Sequence, residues 1–218
     1  MADKPAQEPP AAARFLTVPF ENVPEQDVGN PYEPTEVHVY DVGLRAASGR
    51  VALYYAGVSK PIRVRDHSDF TNRLPDIIAA PRHPAPAPRQ PMQSPLSVHN
   101  AGLSYVVFRL DRGWNWQFAA RGPVLTIEQG RTAYFREARR VDDNGATTDR
   151  NNRQEIDGAM AAYFIAHGRK ARRDSGAKDS YSHEFNLHVE FLERDTGGTV
   201  VSRLPVIIDP DIRYPGGN

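Results

Sequence analysis

From Phe185 to Phe191 apolar and polar side chains alternate, with Phe185, Leu187, Val189 and Phe191 set against Asn186, His188 and Glu190. A two-residue period of this kind belongs to a strand with one buried face. Asp195-Thr196-Gly197-Gly198 follows with residues that tolerate positive φ, as a hairpin turn requires. The next run, Thr199 to Ile208, is β-branched and apolar on both faces, which predicts a more deeply buried partner strand. The hairpin over 183–212 is the anchor of the predicted fold.

Weaker copies of the pattern precede it. Val37, Val39 and Asp41 fall on one side of a candidate strand, with His38, Tyr40, Val42 and Leu44 on the other. Ser48-Gly49 can turn the chain so that Arg50 to Ala56 returns beside it. Ile62 to Arg65 is a short strand candidate, and the polar stretch His67 to Leu74 suits a helical turn capped by Ser68. Ser104 to Leu110 is a strand with Val106, Phe108 and Leu110 on one face, and Trp114, Trp116 and Phe118 share a face further on. Val124 to Ile127 and Arg131 to Arg136 are further short candidates. Gly158 to His167 mixes helix and strand formers, and the surrounding turn spacing favours strand. The count is about eight to ten strands with no regular helix between them, which predicts an all-β fold, an antiparallel β-sandwich of jelly-roll or immunoglobulin-like type.

Proline divides the chain. Residues 1–34 hold Pro5, Pro9, Pro10, Pro19, Pro24, Pro31 and Pro34, which remove backbone donors and predict an extended arm. Pro75 to Pro95 is a second Pro-rich insertion carrying Arg82, His83 and Arg89, inside a single domain over 35–212 that leaves 213–218 as a short tail. The plain reading makes the arm and the insertion local packing and a solvated loop. A sharper one has them strap a neighbouring copy.

Composition narrows the chemistry. The 27 basic and 27 acidic side chains balance, so no global field draws nucleic acid or an anionic membrane. With no cysteine, thiolate catalysis, disulfides and Cys-ligated metal are excluded. The first residues lack the plan of a secretory signal, and no apolar run approaches the ~20 residues of a membrane span, so a cytoplasmic, soluble protein is expected. A phage or virion structural protein would read the same way.

Seven histidines raise the question of a metal. His188 and Glu190 share a strand face, and His38 on another strand is a third candidate ligand; the competing reading is a solvated sheet face. Trp114 and Trp116 form the candidate ligand-binding strip, a platform for a sugar ring or an apolar partner, set against an ordinary core role. The acidic groups at Asp142-Asp143 and at Asp209 and Asp211 lack the spacing of a calcium loop, and the basic run Arg169 to Arg173 is narrow and offset by Asp174. No nucleophile elbow or phosphate loop is present, and no catalytic residue or cofactor is singled out. These features predict a non-enzymatic structural or interaction protein that associates with itself or a protein partner, with a carbohydrate-binding module and a metal-dependent jelly-roll enzyme as alternatives.

Overall fold

The computed structural model describes residues 34–47, 49–57, 60–84, 96–97, 103–126, 135–147, 156–168, 181–208 and 211–214. The chain begins with β1 (Glu36–Ala47), β2 (Arg50–Gly57), β3 (Ile62–Arg63) and α1 (His67–Ala79). Next come β4 (Leu96–Ser97), β5 (Leu103–Leu110), β6 (Trp116–Phe118), β7 (Leu125–Thr126) and β8 (Phe135–Val141). It ends with β9 (Ala161–His167), β10 (Tyr181–Glu184), β11 (Asn186–Arg194), β12 (Val200–Ile208) and β13 (Asp211–Tyr214). The fold is mostly β. Among the described residues no helix is long and apolar enough to cross a membrane.

A six-stranded sheet runs β2-β1-β5-β9-β8, with β3 also on β1. β5 lies at its centre and is buried along its whole length, which is why its sequence is apolar apart from Ser104 and Arg109. One face, with Val39, Tyr105, Val107, Tyr163 and Ile165, packs against α1. The other face, with Tyr40, Val42, Phe108 and Phe164, shares a core with Phe118, Leu187 and Val189 of the second sheet. That sheet runs β12-β11-β6, with β7 also on β11, and a third joins β10, β13 and β4.

Several expectations are corrected. Pairing is not wholly antiparallel, because β1 and β5 run parallel from Val37↔Tyr105 to Val42↔Leu110, as do β13 and β4. β2 returns the chain to the start of β1, and α1 then runs along the sheet in the direction of β5, from His67 beside Tyr105 to Ile77 beside Arg109. Thirteen strands occur among the described residues, more than the eight to ten expected, because short pieces such as β3, β4 and β7 add pairings too brief to show a period. The hairpin of β11 and β12 forms, but β12 is an edge strand exposed at most of its positions rather than a buried one. The sequence resumes pairing after Asp209-Pro210, where a strand terminator was expected, because β13 joins β10 and β4.

The helix starts two residues before the expected cap, as Asp66 accepts from the Asp69 backbone N–H at 2.7 Å. It then continues through Pro75, the start of the expected Pro-rich insertion, because Phe70, Leu74, Ile77 and Ile78 recur at helical spacing and bury against the sheet. The arm over 1–33, the patch Arg14 to Phe20, the stretch 85–95 and the run Arg169 to Arg173 lie outside the described residues.

Candidate active site

A charge on a buried strand demands compensation, and Arg109 near the end of β5 is such a charge. Its register partner on β1 is Asp41, so the two side chains stand side by side on the face that carries α1. Both are about 2% exposed, and the guanidinium forks onto the carboxylate, Nε to Oδ1 at 2.7 Å and Nη2 to Oδ2 at 2.8 Å. The remaining donors reach the end of α1: Nη1 to the carbonyls of Ile77 at 2.6 Å and Ala80 at 3.0 Å, and Nη2 to Pro81 at 3.3 Å. All five guanidinium donors are thereby used. The last turn of α1 holds no basic residue of its own, so Arg109 meets the orphan carbonyls and the negative end of the helix dipole from the sheet.

Beyond α1 the chain crosses the same carboxylate. Asp41 Oδ2 accepts from the His83 backbone N–H at 2.7 Å and stands 2.5 Å from His83 Nδ1. Because Arg109 already donates to both oxygens, the carboxylate acts as an acceptor and Nδ1 is the donor. The His83 side chain is 25% exposed. A partly exposed imidazole oriented by a buried carboxylate is a geometry that general-base chemistry can use.

Arg82 completes the cluster. Its Nη1 donates to the Ile78 carbonyl at 2.7 Å and its Nε to the Leu110 carbonyl at 3.3 Å. Nη2 is buried without a hydrogen-bond partner among the described residues. Burial, and then the neighbouring Arg109 charge, lower its pKa from the usual guanidinium value. At the rim Tyr54 lies over Gly43, where a Cβ would fall 2.3 Å from the ring, so only glycine admits it. Its hydroxyl donates to Asp111 Oδ2 at 3.5 Å, and burial followed by the Asp111 charge raises its pKa. Arg112 pairs with Asp143 at 2.7 Å on the exposed side.

The residues singled out from the sequence lie elsewhere. His38 is buried on the inter-sheet side of β1, 3.8 Å from Glu36, which also binds Arg63. His188 and Glu190 project from the second sheet on the face opposite Leu187 and Val189. His188 contacts the Thr126 hydroxyl at 2.8 Å, and burial and then the Arg140 charge lower its pKa. Glu190 is tied to Gln117 and Arg203 at 3.1 Å each. His38 is therefore not brought to His188 and Glu190, and among the described residues no group of three or more such ligands can hold a metal ion. Trp116 is 3% exposed in the core. Trp114 is half-buried, its indole N–H donating to the Leu44 carbonyl at 2.9 Å.

Asp41, Arg109, Arg82 and His83 form no linear motif, since Asp41 and Arg109 stand 68 positions apart. The available signal was a lone charge in each of two apolar runs, VHVYDV and SYVVFRL, a poor fit to a buried strand unless the charges meet.

A family model described as a predicted novel nucleotide synthetase matches residues 20–217. No curated protein matches the chain. The family match overturns the expectation of a non-enzymatic structural or interaction protein, and with it the lean away from catalysis. That expectation rested on missing short motifs, and catalytic groups assembled from distant strands leave none.

Proposed function

The chain belongs to the predicted novel nucleotide synthetase family, and on that premise we propose that it is a nucleotide-synthesising enzyme whose reaction centre is the Asp41–His83–Arg82 cluster. The observation that carries the placement is the His83 imidazole, fixed through Nδ1 on a buried carboxylate and a quarter exposed. In this reading His83 Nε2 takes the proton of a hydroxyl attacking phosphorus, and the leaving phosphate or pyrophosphate departs with its bonding pair. Arg82 supplies positive charge beside His83 for the phosphate, and Arg112 stands at the rim in its ion pair with Asp143. Asp41 orients the imidazole and stabilises it once protonated, while Arg109 holds Asp41.

The setting supports the reading. The cluster gathers at the carboxyl end of the parallel pairing between β1 and β5, and ligands of open sheets with parallel strands commonly bind at carboxyl ends. In the finer architecture, the two larger sheets make a sandwich whose outer face on one side is given over to α1, a departure from jelly-roll and immunoglobulin-like types.

The test incubates the full chain with a panel of nucleoside triphosphates and follows new nucleotide products by liquid chromatography and mass spectrometry. His83→Ala should lower turnover about 10²–10⁴-fold while its melting temperature stays near that of the parent. A variant that keeps its rate within about threefold removes His83 from this role.

A further inference from the structure

Between the rim of the six-stranded sheet and the second sheet lies a cleft of about 430 Å³. Three cross-strand pairs build it: Leu44 with Leu53, Phe191 with Trp116, and Val189 with Val206. Its floor is core, since Trp116 is 3% and Val189 1% exposed, so it is a recess rather than a patch of flat surface. We infer that this cleft is a nucleoside-binding slot, which takes base and sugar with little discrimination among bases; the inference rests on the nucleotide-synthetase reading.

The first argument is shape and chemistry. The volume is roughly three times the ~150 Å³ of an apolar cavity that admits one benzene, enough for a ring system and its sugar. Trp116 and Phe191 stand with centroids 5.5 Å apart and planes inclined by 30°, giving the slot an aromatic flank for a flat ligand. The flank is preorganised, because the Trp116 indole N–H is held by the Asp111 carbonyl at 2.7 Å. That N–H is the sole polar side-chain group in the lining, and it is already committed. With no free side-chain donor or acceptor to read a base edge, selection falls to size and apolarity, which discriminate weakly.

The second argument is position. Adjacent carbonyls at the end of β5 anchor both sites: Leu110 accepts from Arg82, and Asp111 accepts from Trp116. One strand end thus separates the base slot from the arginine assigned to phosphate. A second copy of the chain is a poorer occupant. Pro205 lies within β12, an edge strand among the described residues. Proline is tolerated there with its missing N–H on the outer edge, where it interrupts the ladder an added strand would need.

Intrinsic tryptophan fluorescence of the full chain, titrated with adenosine, guanosine, cytidine and uridine, tests the slot without phosphate. Saturable changes are expected for all four, with dissociation constants within about tenfold of one another. Leu53→Trp, which fills the slot, should weaken each about tenfold or more. Leu204→Glu, at an exposed position beside Phe191, should weaken them about threefold in a fully folded chain. His83→Ala should leave the constants unchanged, so loss of synthesis and loss of nucleoside binding report on the two sites separately. No saturable response up to about 1 mM, or constants indifferent to both leucine variants, overturns the slot. So does a dimer that Leu204→Glu splits into monomers without any nucleoside response, since the face would then be a contact between copies.

Discussion

β5 and β12 are both rich in branched apolar side chains, yet all eight positions of β5 are buried while six of nine in β12 are exposed. Sheet order separates them. β5 has a strand on each side and packed layers on both faces, whereas β12 has one neighbour among the described residues. Their charges differ in the same way. Arg109 on β5 is buried with every donor used, whereas Arg203 on β12 is a third exposed and bridges Asp157 and Glu190 at 3.1 Å. A charge in a central strand is therefore a fixed structural commitment that also organises His83, while a charge on the edge strand is an adjustable tether.

The sharpest way to break that comparison is to remove the buried guanidinium. Arg109→Met takes the paired cation from the buried Asp41 carboxylate, leaving it to His83, and frees the carbonyls of Ile77 and Ala80, so urea unfolding should show a loss of about 3–5 kcal/mol. Adding Asp41→Leu should recover a large part of it, because replacing a buried pair by apolar groups is often neutral. A loss below about 1 kcal/mol for Arg109→Met would place the pair in a far wetter setting than its burial indicates.

Truncating apolar side chains on the same two strands comes next. Phe108, fully buried against Tyr40, Phe164 and Phe185, should cost about 3–5 kcal/mol as Phe108→Ala. Leu204, 64% exposed, should shift stability by no more than about 0.5 kcal/mol as Leu204→Ala. Equal effects in chemical denaturation would mean that β12 is covered in solution, by a second copy or by chain outside the described residues.

The contrast also explains what the sequence could and could not reveal. Alternation exposed β1, β5 and β11, and turn spacing favoured strand for the mixed run that becomes β9, because these are local properties. Burial of β12 was misread, since a β-branched run records strand preference and sheet order alone decides which strand is covered. The parallel register of β1 on β5 was hidden by the hairpin return and helix between them, and with it went the meeting of Asp41 and Arg109. In the sequence His83 is one of three basic side chains in a proline-rich stretch, with nothing local to set it apart. Its meaning depends on α1 running through Pro75 and delivering residue 83 to a carboxylate 42 positions earlier.

The smallest effect expected lies at the edge-strand tether. Hydrogen bonds from Arg203 and then from Gln117 hold the Asp157 carboxyl below the usual carboxylate range. A pKa lower in the folded chain contributes stability that is present above the unfolded value of about 3.9 and is lost as pH falls through the folded value. Asp157 is 58% exposed, so solvent screening keeps the contribution to a few tenths of a kcal/mol. Urea midpoints for the parent and for Asp157→Asn should therefore differ slightly at neutral pH and converge as pH drops below about 4. High salt should shrink the difference as well, because the pair is exposed. A difference that persists at low pH and in high salt would show that Asp157 acts through its turn at Gly158, whose N–H is held by Gln117 at 2.8 Å, and not through its charge.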